Sequence, residues 1–142
     1  MTEWIVVAGA AQAKVFKHHR GQLHWLYNLE NPMGRPHERE FHSDRPGMGR
    51  ARYAFGTAAH SYTSHKSALE QSRDNFARSL ATHLAKAWRA RRFERLTIVA
   101  EPHFFGRLRG HLGPLYNKIS PRHIGKGLAG ATTLRLQRML AI

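Results

Sequence analysis

Three short segments near the start of the chain have the hydrophobic patterns of β-strands. Residues 4–8 form an apolar, β-branched run, and residues 13–17 and 23–27 alternate apolar and polar side chains. Residues 20–22 supply a turn between the second and third segments. Alternation with a period of two is typical of strands with one buried face, so these segments predict three antiparallel strands with tight connections.

The clearest element is a long amphipathic helix in the middle of the chain. Large apolar residues recur there at helical spacing, namely Leu69, Phe76, Leu80, Leu84 and Trp88. We predict a helix of about seven turns that begins at Ser64 or Ser67 and ends near Arg91 or Arg92. Many of its other positions are basic. A solvated helix face explains such positions as readily as a binding surface does.

The last third of the chain combines short strands and short helices. The predicted elements are a buried strand at 96–100, helices at 103–112 and 115–120, an edge strand at 124–128 and a final helix capped by Thr132 or Thr133. We therefore predict a single α/β domain over residues 1–142 with α+β layering. Its central mixed β-sheet has antiparallel N-terminal strands and is packed by one long helix and shorter C-terminal helices.

Residues 31–65 differ from the rest of the chain. They contain three of the six prolines and four of the twelve glycines, with little apolar periodicity, which predicts a long basic loop. Arg45, Arg50 and Arg52 offer forked donors that match phosphate, and Tyr53 or Phe55 can stack on a nucleobase. The alternative is a solvated loop whose arginines contact only water and nearby carboxylates.

Charge changes the functional picture. The chain has 23 Lys and Arg against 9 Asp and Glu, a formal net charge of +14, and its pI is near 11.4. Such a surplus points to a polyanionic partner. Residues 102–142 contain no acid, and we expect their cations to form one wall of a binding surface, chiefly Arg107, Arg109, Lys118, Arg122 and Lys126.

The residues argue against catalysis. There is no cysteine, no nucleotide-binding glycine pattern and little carboxylate for acid–base or two-metal chemistry, so we expect no catalytic residue, no metal and no cofactor. The eleven histidines lack zinc-binding spacing. The alternative is a hydrolase or nuclease that uses His60 or His65, both in the predicted loop, as acid–base groups.

The residues that resemble a known family extend over nearly the whole chain. They are the opening segment 4–16, Ser43-Asp44-Arg45-Pro46-Gly47, Asn75-Phe76-Ala77-Arg78, the strand and turn at 96–102 and Phe105-Gly106-Arg107-Leu108-Arg109. In this order they resemble the bacterial host attachment protein family. The chain departs from the family at Gly125-Lys126-Gly127-Leu128, where the family tends to have an acidic Lys-Asp-Leu step.

The resemblance implies a fold and a partner. The family is similar to the middle domain of archaeal and eukaryotic peptide-chain release factors, in which the loop after the third strand carries a Gly-Gly-Gln tripeptide. That tripeptide enters the peptidyl-transferase centre of the ribosome. This sequence has no Gly-Gly-Gln, so the resemblance implies docking on ribosomal RNA without peptide release.

These observations converge on a non-catalytic RNA-binding protein. We expect the ribosome to be its partner, in a translation or stress role. No export signal or membrane span is visible in the sequence, so we expect it in the cytoplasm. The alternative suggested by the family name is an attachment factor that contacts an anionic envelope surface. The sequence leaves the oligomeric state open.

Overall fold

The computed structural model describes residues 1–31 and 58–141, with side chains in the long helix described from residue 67 onward. The strands are β1 Glu3–Ala8, β2 Gln12–His19, β3 Gln22–Glu30, β4 Arg95–Val99 and β5 Arg122–Ile124. The helices are α1 Ala58–Arg89, α2 Pro102–Leu112, α3 Leu115–Ile119 and α4 Thr133–Met139. No helix in this part of the chain combines the length and the apolar character needed to cross a bilayer.

The five strands form one mixed sheet in the order β3-β2-β1-β4-β5. The first three strands pair antiparallel, and β4 and β5 join them parallel to β1. The predicted fold class is therefore confirmed. A register shift at Val15 and Phe16 leaves Leu26 without a partner in β2, which marks a β-bulge in β3.

Alternation along β1 divides the core into two layers. Trp4 and Val6 point to one face, where α1 and α2 cover them with residues such as Leu80 and Leu108. Ile5 and Val7 point to the other face. There the C-terminal segment covers them, chiefly through Leu128, Ala131 and Leu136. The sheet thus separates α1 and α2 on one side from α4 on the other.

The predicted start of the long helix is wrong. α1 begins at Ala58, before Ser64, so the predicted loop at 31–65 ends earlier than expected and positions 60 and 65 lie in the helix. Apolar spacing gave no signal there because residues 60–66 are almost all polar. The other predicted loop residues, including Arg45, Arg50, Arg52, Tyr53 and Phe55, lie outside the described residues.

The end of α1 is also earlier than predicted. The helix ends at Arg89, and Arg91 adopts a left-handed conformation with φ of 57°. Arg91 N donates to Trp88 O, and Arg92 N donates to Ala87 O at 2.9 Å. These two bonds form a Schellman motif with arginine where glycine is usual, which sequence rules do not anticipate.

The predicted edge strand at 124–128 is displaced. β5 instead pairs Arg122 with Thr97 and Ile124 with Val99, and it ends at Ile124, before Gly125. Leu128 belongs to the second core layer rather than to the sheet. The predicted cap of the last helix is confirmed, because Thr132 Oγ1 accepts a hydrogen bond from Arg135 N at 3.2 Å.

Candidate nucleic-acid interface

The acid-free segment distributes its predicted cations over several elements. Arg109 lies on α2, Lys118 on α3, Arg122 on β5 and Lys126 in the turn that follows, and all four side chains are exposed. None of the four has an ion-pair partner among the described residues. They remain candidates for phosphate contacts.

A stack of aromatic groups joins these elements. The guanidinium of Arg109 lies 4.6 Å from the centre of the Tyr116 ring, and Tyr116 packs edge-on against Phe105. Phe105 in turn stacks flat on His123, with ring centres 3.6 Å apart. His123 Nε2 also bonds the backbone oxygen of Ala100 at 3.0 Å. This stack fixes the positions of Arg109 and of β5 relative to each other.

Arg107 has a different environment from the other predicted cations. It is half-buried and donates to the backbone oxygen of Glu70 at 3.2 Å and to the Glu70 carboxylate. Its other carboxylate neighbour is Asp74, at 3.6 Å. Its charge is therefore balanced within the protein. A role for Arg107 in a binding surface stays a prediction, and these contacts argue against it.

Asp74 is the centre of this ion-pair network between α1 and α2. His111 Nε2 donates to Asp74 Oδ1 at 3.0 Å, and Arg78 lies 3.6 Å from the other oxygen. The hydrogen bond from His111 is the main cause that lowers the pKa of Asp74, with the charges of His111, Arg107 and Arg78 adding to it against an opposing effect of burial. The network ties the two helices together.

A second positive surface lies at the end of α1. We call it the helix-end cluster, and it consists of Lys86, Arg89, Arg91, Arg92 and Arg95, all of them exposed. The one acid in this segment, Glu94, accepts a hydrogen bond from Thr2 N at 3.0 Å. No carboxylate among the described residues pairs with any of the five cations.

The helix-end cluster was not among the residues singled out from the sequence. The signal was present as a basic run across 86–95. Part of its charge has a structural role, because cations near a helix C-terminus interact favourably with the helix dipole. That role accounts for Lys86 and Arg89 in the last turn of α1 but not for Arg91, Arg92 and Arg95 beyond it.

A polar pair lies next to this cluster, between β3 and α1. Tyr27 Oη lies 2.5 Å from His83 Nε2, and both side chains are half-buried. Burial lowers the pKa of His83 below its ordinary 6.5, and the charges of Arg92 and Lys86 lower it further. Burial raises the pKa of Tyr27, against a smaller opposing effect of Arg92. Both groups are therefore neutral near pH 7.

The described residues include no cluster of three or more metal-ligating side chains. The side chains of His60 and His65 lie outside the described part of the structure, so the alternative acid–base site remains untested.

Comparison with known proteins identifies a family. No curated protein matches the sequence. A family model described as "Protein required for attachment to host cells" matches residues 4–140. That match overlaps every strand and every helix described above. The chain therefore belongs to the family of proteins required for attachment to host cells.

Proposed function

We propose that this protein binds structured RNA without catalysis and that its cellular target is ribosomal RNA in the cytoplasm. The observation that carries the proposal is the group of exposed cations without carboxylate partners, both in the helix-end cluster and along α2, α3 and β5. Unpaired surface arginines release counterions when they meet phosphates, which is the main source of affinity for nucleic acids.

The neutralised network between α1 and α2 strengthens this argument. The chain places Glu70 and Asp74 where they balance Arg107 and Arg78. Among the described residues it pairs no carboxylate with a cation of the helix-end cluster, since Glu94 accepts from Thr2 N instead, although mixed charges would serve solubility equally well. We also propose that the family is related to the middle domain of release factors, as the resemblance above implies. This relation favours the ribosome among RNA targets.

Co-sedimentation with purified ribosomal subunits over a salt series tests the proposal. We expect saturable binding near physiological salt, with the affinity falling steeply as salt rises. Arg89→Gln/Arg92→Gln should lower the affinity about tenfold and reduce the salt slope by roughly one and a half units, because each lost phosphate contact contributes about 0.7 to 0.9.

Arg135→Gln/Arg138→Gln is the matched control. It removes the same charge from α4, on the opposite face of the sheet, where both arginines are exposed. We expect it to change the affinity by less than about twofold. Equal losses in the two variants, or binding that never saturates, would mean that the protein attracts polyanions only through its total charge.

The family description favours a second candidate function, attachment through an anionic envelope surface. The same exposed cations support it, since basic patches bind anionic lipids and polysaccharides. Cell fractionation with immunodetection distinguishes the two functions. A pool confined to ribosome fractions supports the RNA proposal, whereas a pool on the outer surface of intact cells supports direct attachment.

A further inference from the structure

A cleft opens beside the helix-end cluster, between β3 and the last turns of α1. Its volume is about 390 Å³, within the range of small-molecule sites. We call it the Tyr27 cleft, and its lining residues are Tyr27, His83, Lys86, Ala87, Ala90 and Arg92. No carboxylate of the described residues lines it.

The chemistry of the cleft divides into an apolar wall and a charged side. The wall is formed by the small side chains of Ala87 and Ala90, next to the rings of Tyr27 and His83. The rings stand nearly perpendicular, with their centres 5.3 Å apart. Lys86 and Arg92 supply the positive charge, and His83 adds none because its pKa is lowered.

We propose that the Tyr27 cleft binds one nucleoside monophosphate unit, with the base against the Ala87–Ala90 wall and the rings, and the phosphate between Lys86 and Arg92. A flat ring suits a wall of small side chains flanked by aromatic groups, which offer stacking and edge contacts to a base. Two cations, one of them a forked guanidinium, match a phosphate group.

Two kinds of ligand supply such a nucleotide unit, a free mononucleotide and an unpaired nucleotide of an RNA chain. For the second source the inference rests on the proposed function. His83 also borders a wider groove of about 690 Å³ along β3 and α1. Within the part of the chain that the structure describes, a nucleotide in the cleft therefore has this groove on one side for a continuing chain.

Amide NMR titration of the full chain tests the site, with uridine 5′-monophosphate, adenosine 5′-monophosphate and inorganic phosphate as separate probes. We expect saturable shifts at Tyr27, His83, Ala87 and Ala90 with the nucleotides, and weaker binding of phosphate alone. Lys86→Gln/Arg92→Gln should weaken nucleotide binding at least about tenfold, because the charged hydrogen bonds to the phosphate are lost.

Arg135→Gln/Arg138→Gln is the matched control, since it removes the same charge from exposed residues of α4, on the opposite face of the sheet from the cleft. We expect it to change nucleotide affinity by less than about twofold. The proposal is overturned if phosphate alone binds as tightly as the nucleotides, if both double variants weaken binding equally, or if the shifts fall outside the cleft.

A short single-stranded oligoribonucleotide separates this inference from the proposed function. If ribosome binding persists while no nucleotide binds the cleft, the cleft proposal fails and the RNA proposal stands. If mononucleotides bind the cleft while neither the oligonucleotide nor the ribosome binds, the site is supported as a free-nucleotide site and the RNA proposal fails. If mononucleotide and oligonucleotide both bind and both weaken in Lys86→Gln/Arg92→Gln, the RNA source is supported.

Discussion

The contact between α1 and α2 and the helix-end cluster use cations in opposite ways. In the first region Arg107 lies half-buried against Glu70 and Asp74. In the second, Arg91 and Arg92 are exposed and no carboxylate of the described residues pairs with them. The difference shows that a net charge of +14 is not a uniform property of the surface. Some cations hold the fold together, and others are available to a polyanion.

The largest expected effect on stability comes from removing the ion pairs between α1 and α2. Arg107→Ala removes the donor to the Glu70 backbone oxygen and to its carboxylate, together with the ion pair to Asp74. We expect the free energy of unfolding to fall by about 2 kcal/mol, because hydrogen bonds to charged groups are lost at a half-buried site. Urea unfolding followed by circular dichroism measures the change.

Arg109→Ala is the control for this substitution. Arg109 lies on the same helix but is exposed, and its described contact is with the Tyr116 ring. We expect it to lower stability by less than about 1 kcal/mol. If the two substitutions have equal effects, the network around Asp74 does not stabilise the helix pair.

A smaller effect is expected at the border of the second region. Tyr27→Phe removes the hydroxyl that bonds His83 while it keeps the ring against Trp4. We expect a loss of about 1 kcal/mol, since one half-buried hydrogen bond is broken without a large cavity. Tyr116→Phe offers a comparison, because the described structure shows ring contacts but no side-chain hydrogen bond for Tyr116. A loss in Tyr116→Phe as large as in Tyr27→Phe would contradict the prediction.

Much of the fold was predictable because it follows local patterns. Alternation at residues 13–17 and apolar spacing from Leu69 to Trp88 each predicted the correct element. The first turns of α1 were missed because polar residues leave no periodic signal. Its end was missed because Arg91 takes a left-handed conformation that usually marks glycine.

The candidate site was less predictable, since pairing between distant residues decides it. Counting acids within 102–142 made Arg107 equivalent to Arg109, but the carboxylates that pair with Arg107 come from α1. No count within one segment reveals that contact. Conversely, Lys86 and Arg92 were visible in the sequence, but only the structure shows them beside a cleft with Tyr27 and His83.

The two regions should also respond to acid at different pH values. The lowered pKa of Asp74 means that its contribution to stability is present above its ordinary pKa of 3.8 and is lost only as pH falls through its folded value. The pKa of His83 is lowered from 6.5, so its contribution to stability is lost at a higher pH than that of Asp74, as the pH falls below 6.5. Mild acid should therefore lower the free energy of unfolding through protonation of His83, next to the helix-end cluster, while Asp74 stays ionised.

The smallest expected effect is this decline in mild acid, because a single half-exposed histidine produces it. Below pH 6.5 the unfolded chain binds a proton at His83 more readily than the folded chain does, since burial and the charges of Arg92 and Lys86 oppose protonation in the fold. Protonation therefore favours the unfolded state, and stability falls as pH drops from 7 through the folded pKa of His83. The chain has ten other histidines, so the useful quantity is the difference between the wild type and His83→Gln, which keeps a polar partner for Tyr27 but does not ionise. We expect urea unfolding free energies of the wild type to fall relative to those of the variant as pH decreases from 7 to 5. A constant difference would show that folding does not lower the pKa of His83, and a difference of opposite slope would show that folding raises it and adds a positive charge to the cleft.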